Sequence, residues 1–223
     1  MRPEDPQRPD DEDAKARIFG GASLAPVFEL NRLFLDALVD ASFRPASEVR
    51  PRLASALQRP LAQLTPAARD RLSRCPICFV DAGFRDDERW AAIATQSDAR
   101  LGSQEIVFPP LQALQLAYQT LTLAWTIARA SLEGACLIFG MTRKSARVIA
   151  KAGIQTMHQV AERHTGWVRP AWDDQSAIWQ HLIAMALRET DSQSSLGLRA
   201  LQRRLADLEP ATGESNEIRS TLR

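Results

Sequence analysis

Apolar residues recur along this chain at helical spacing, and nowhere do they alternate for long enough to build a sheet. From Ser23 onward, Leu24, Val27, Phe28, Phe34, Leu35, Leu38 and Val39 fall mostly three or four apart. That spacing predicts a helix with Pro26 in its first turn, where proline is tolerated, ending near Phe43-Arg44-Pro45. A weaker pattern through Val49, Leu53 and Leu57 to Pro60 predicts a second helix, and Thr65-Pro66 opens a third, with threonine as cap and proline at the first helical position. Cys75–Val80 is short, apolar and proline-interrupted, which suits a buried connection or a brief strand. Asp86 or Asp87 can then cap a short helix holding Trp90 and Ile93.

Thr95–Ser103 is polar and contains glycine, as a joint between two halves would be. Past Pro109-Pro110 a long helix is predicted, with Leu111, Leu114, Tyr118, Leu121 and Trp125 on one stripe and Leu116, Leu123 and Ile127 widening it. Three short helices follow at about 132–139, 143–152 and 155–164, separated by Gly140-Met141-Thr142 and Gly153-Ile154. Trp167–Trp172 must be extended around Pro170. Asp173 or Asp174 can cap a further helix carrying Ile178, Trp179, Leu182, Ile183 and Ala186.

The expected organisation is therefore all-α, a multi-helix bundle with a C-terminal helix-turn-helix-like subregion. Residues 1–21 form an acidic lead expected to be disordered, 22–100 an N-terminal helical half, 104–190 a C-terminal helical half, and 191–223 a tail helix with a frayed end. In the tail, Leu198, Leu201, Leu205 and Leu208 alternate spacings of three and four and make a narrow seam. Four leucines are too few to hold a coiled coil alone. They are candidates for docking back on the domain or for an oligomer or partner contact, a homodimer included.

Composition narrows the field. A hydrophobic fraction of 45% with 25% charged residues is that of a globular protein, and a formal net charge of +1 provides no global field to draw in nucleic acid. Ile106–Ala128 carries no charge and is about long enough to span a bilayer, yet Pro109-Pro110 and a series of glutamines and threonines argue for a buried central helix instead. No apolar signal segment opens the chain, and three cysteines provide no disulfide framework, so a reducing cytoplasm is expected, with no membrane partner.

Candidate chemistry is sparse. Cys75-Pro76-Ile77-Cys78 has the two-residue spacing of a metal half-site or a redox couple, but no second cysteine pair or matching histidine spacing completes a zinc site, and small buried cysteines are the simpler reading. His158, His164 and His181 accompany no nucleophile motif, and neither a phosphate loop nor a His-Glu-x-x-His is present. Exposed helix surface is the plain reading of His158 and His164. No enzymatic activity, metal or cofactor is expected.

Ala135–Ile149 is more informative. Ala135 and Cys136 are small enough for close helix approach, Gly140 can take the positive φ of a tight turn, and Met141, Ala146 and Ile149 fall inward. Thr142 can cap a helix whose outward residues are Arg143, Lys144, Arg147 and Lys151, the candidate DNA contacts. From Ser131 to Pro170 six basic residues stand against two acidic ones, a local balance of +4.

The run from Leu114-Gln115-Leu116-Ala117-Tyr118 through Cys136-Leu137-Ile138-Phe139-Gly140-Met141 to Met157-His158-Gln159-Val160-Ala161-Glu162-Arg163-His164 resembles the FlhD family of flagellar transcriptional activators. The resemblance covers roughly Leu111–Ile183 and includes an extended aromatic-Arg segment, here Trp167-Val168-Arg169. It implies a helical regulator that acts on promoter DNA as an oligomer or with a second regulatory subunit. The competing expectation is a helical adaptor or assembly factor that binds another protein through an apolar groove, a surface that five tryptophans would suit.

Overall fold

The computed structural model describes residues 23–45, 48, 50–95 and 105–188. The acidic lead, most of the polar joint and the tail with Leu198, Leu201, Leu205 and Leu208 lie outside the described residues. The fold is all-α, with ten helices and one two-stranded pairing among the described residues. In the first half, α1 (Ala25–Ser42), α2 (Arg52–Ala56), α3 (Gln58–Ala62) and α4 (Pro66–Ser73) precede β1 (Val80–Asp81) and α5 (Asp87–Ala94). The second half runs α6 (Pro110–Ala130), α7 (Leu132–Phe139), α8 (Arg143–Lys151), α9 (Ile154–Arg163), a 3-10 turn (Thr165–Trp167), β2 (Arg169–Pro170) and α10 (Ser176–Leu187). No described helix is long and apolar enough to cross a membrane.

Helix α6 is the axis of the molecule, packed by α1, α7, α8, α9 and the 3-10 turn. Its buried face is Ala113, Leu116, Ala117, Thr120, Leu121, Ala124, Ile127 and Ala128. The stripe expected from the large residues is rotated away from this face. Only Leu121 of that stripe is buried, together with Leu116 and Ile127 of the residues expected to widen it, while Leu111 is 80% exposed and Leu114, Tyr118 and Trp125 are half-buried. Neighbours on several sides must approach the α6 backbone closely, and alanine permits that where leucine does not.

The two halves share one hydrophobic core. Helix α1 packs on α2, α3, α4 and α6, while α10 returns to cover α3 and α4. Trp179 of α10 lies with its ring 6.1 Å from Phe34 and 5.0 Å from Phe79, and its indole N–H donates to the Ala171 carbonyl at 2.7 Å. Strands β1 and β2 pair antiparallel, Val80 opposite Pro170 and Asp81 opposite Arg169. The second expected helix is divided at Leu57, whose backbone leaves the helical region, into α2 and α3.

Capping follows the sequence in three places and departs from it in one. Thr65 accepts from Ala68 N, Asp86 from Arg89 N and Thr142 from Ser145 N. At α10 the N-cap is Gln175, with no side-chain bond. Asp173 is used elsewhere: its carboxylate takes the Leu53 N–H at the start of α2, and burial pushes its pKa up.

One buried polar residue organises the connection from α4 to β1. Asn31, fully buried on α1, donates from Nδ2 to the carbonyls of Ser73, Cys75 and Ile77 at 3.3, 3.0 and 2.8 Å and accepts the Phe79 N–H at 2.8 Å. The proline-interrupted Cys75–Val80 segment is thus a buried connection clamped by an amide, since its backbone groups have no helix of their own to bond within. Cys78 N also donates to the Ile138 carbonyl at 2.8 Å, tying this connection to the last turn of α7.

Candidate nucleic-acid interface

The unit α7-turn-α8 is built by local sequence. Ser131 caps α7 by accepting from Gly134 N at 2.9 Å. Gly140 ends it in the left-handed region at φ 69°, which a side chain disfavours, and two residues later Thr142 starts α8. Inward positions are closed: Ala135, Met141, Ala146 and Ile149 are fully buried and Cys136 nearly so. Burial also pushes the Cys136 thiol pKa up.

All four predicted cations lie on the open side of α8, each exposed. Arg143, Arg147 and Lys151 are four apart and form one stripe about 12 Å long, given the helical rise of 1.5 Å per residue. Arg143 is 3.5 Å from Glu133 of α7 and Lys144 is 3.9 Å from Asp87 of α5. Both pairs are exposed on the cation side and hold their charges weakly. A fifth cation joins this edge. The Trp125 indole N–H donates to the Ala152 carbonyl just past α8 at 2.8 Å, and the Arg129 guanidinium stacks 4.8 Å from that ring.

Sequence reasoning missed Arg129 and Asp87. The first was detectable as a Trp-x-x-x-Arg spacing on one helix face, next to the segment that packs on α8. Asp87 carries no local signal, because its partners are more than fifty residues away. Its Oδ1 accepts from the hydroxyls of Thr142 and Ser145, the latter at 3.0 Å, so a carboxylate from α5 sits at the N-terminal end of α8.

The other candidates do not converge on this surface. Cys75 and Cys78 are fully buried in the clamped connection and joined in no disulfide. Among the described residues no group of three or more His, Cys, Asp or Glu gathers as metal ligands would. His158 is half-buried with its ring 5.2 Å from Tyr118, and His164 terminates α9 and stacks on Trp167 at 4.4 Å, so both differ from the open helix surface expected of them. Ring packing took precedence over solvation at these two positions.

A separate open groove of about 650 Å³ lies between α1 and α6, lined by Leu30, Leu33, Tyr118 and Leu123 with Glu29 and Arg32 among its polar residues. Tyr118 donates its hydroxyl to Glu162, and that bond raises its pKa. No family model matches the chain, and neither does any curated protein or solved structure.

Proposed function

We propose that this protein is a helical transcriptional regulator of the FlhD-like kind, working in the cytoplasm, that meets duplex DNA through α8 as an oligomer or with a partner subunit. The observation that carries the reading is the α7-turn-α8 unit: its inward residues are buried, its turn is made by a left-handed glycine, and Arg143, Lys144, Arg147 and Lys151 all face outward. Arg129 extends the positive edge past the end of the helix. The test is fluorescence anisotropy with a labelled duplex across a salt series. Replacing Arg143, Arg147 and Lys151 by alanine should abolish salt-sensitive binding while leaving the circular dichroism spectrum unchanged. Unchanged binding by the triple variant refutes it.

A second reading is favoured by the α1/α6 groove, whose leucines would accept an amphipathic segment of another protein without any DNA contact. An adaptor of that kind loses its partner on Leu33→Arg or Leu123→Arg and is indifferent to changes on α8.

A further inference from the structure

The four cations of α8 are not equivalent, and the difference comes from α5. The first turn of α5 carries Asp87 and Glu88, with Asp86 as its cap, so three consecutive carboxylates begin a helix that packs directly on α8. Of these, Asp87 binds α8 itself. One carboxylate oxygen accepts from Thr142 and Ser145, and the other lies 3.9 Å from Lys144 Nζ. An approaching phosphate seeks these same features: hydroxyl donors at a helix start and an ammonium. Arg147 and Lys151 are in no such contact among the described residues.

We propose that Asp87 is an intramolecular stand-in for phosphate that withholds the leading end of α8 from nucleic acid and so sets the affinity of the interface. The proposal rests on the reading of α8 as a duplex-binding helix and adds its regulation. Binding through Arg147 and Lys151, which have no carboxylate beside them among the described residues, remains open in the resting protein, whereas Lys144 engages a phosphate fully only when Asp87 is neutralised or displaced. Recognition in the resting state is therefore of the phosphate backbone, because the end of α8 that would enter a groove first is occupied by a carboxylate.

The consequence is a specific non-additivity. In the wild-type chain, Lys144→Ala should weaken duplex binding less than Arg147→Ala, since Arg147 has no carboxylate beside it among the described residues and its loss should lower the salt slope by about 0.9. Asp87→Asn keeps an acceptor for Thr142 and Ser145 and removes the charge. It should tighten binding by about fivefold, the scale of one exposed ion pair, and steepen the slope by about 0.9 as one more phosphate is engaged. In the Asp87→Asn background, Lys144→Ala should erase that gain.

The experiment is the anisotropy salt series on a labelled duplex of mixed sequence, using the full chain, with Glu29→Gln on the far α1/α6 groove as the control for net charge. Tighter duplex binding by Asp87→Asn than by the wild type, lost again when Lys144→Ala is added, supports the proposal most directly. It is overturned if Asp87→Asn binds no more tightly than Glu29→Gln, or if Lys144→Ala weakens the wild-type chain as much as Arg147→Ala does. Should Asp87→Asn not fold, that comparison of Lys144→Ala with Arg147→Ala still decides. Absence of duplex binding in every form overturns the parent reading as well, whereas a wild type that binds and an Asp87 variant that changes nothing overturns only this one.

Discussion

Asn31 is the residue whose loss should be felt most for the least change in volume. Replacing it with alanine removes the side chain that bonds the Phe79 N–H and the Ile77 carbonyl, both at 2.8 Å and both buried. An orphaned buried donor or acceptor costs about 1–3 kcal/mol, so these two groups alone predict a loss of about 2–6 kcal/mol, and the longer bonds to Ser73 and Cys75 add to it. That is a large share of the roughly 5–15 kcal/mol by which domains are stable. In urea, with a slope of about 1–3 kcal/mol/M, the unfolding midpoint should fall by at least about 0.7 M at constant slope. Asn31→Asp makes the reasoning stricter. It keeps the acceptor for Phe79 but turns lone pairs toward three carbonyls, so it should be at least as damaging at neutral pH and milder in acid, where the protonated carboxyl regains one donor. A midpoint for Asn31→Ala within about 0.3 M of the wild type would refute the clamp.

Three further outcomes are expected. Asp173→Asn should raise the denaturation midpoint at pH 7: burial lifts the folded pKa of this carboxyl, so its favourable contribution is complete below the unfolded pKa and is lost as pH rises through the folded one. The advantage of the asparagine variant should therefore shrink on acidification, and a constant difference from pH 3 to pH 7 would contradict it. Gly140→Ala should cost about 1–2 kcal/mol in urea unfolding, because its φ of 69° is unfavourable for a side chain, and Gly140→Asn should cost less. Thiol labelling of the native protein should be slow at all three cysteines, each buried, and Asn31→Ala should speed it selectively at Cys75 and Cys78, read by mass spectrometry of the labelled peptides.

What was legible in the sequence was local. Thr65, Ser131, Thr142 and Gly140 each write a helix boundary within four residues of themselves, and the α7-turn-α8 unit could be drawn from residue order alone because its signals are of this kind. The long-range partnerships were not legible. Asn31 carries no local signal, since its four bonds go to residues 42–48 positions away. Asp87 was readable as a helix-start acid but not as a ligand of α8. The rotation of α6 has the same origin: large residues dominate a periodicity count, yet a helix with several close neighbours turns its alanines inward. Asp173 shows that one carboxylate has more than one helix end within reach, and only the packed chain decides between them.

The return of α10 onto α3 and α4 governs the order in which this protein can be made. Phe34 and Phe79 are synthesised early, but the indole that packs against both belongs to Trp179, near the end of the described residues. The N-terminal helices must wait, with an apolar face uncovered, until most of the chain has emerged. A polypeptide truncated before α10 should consequently be a client for chaperones and not a smaller stable domain, and folding should be slow for an all-helical protein because its decisive contacts join distant parts of the sequence.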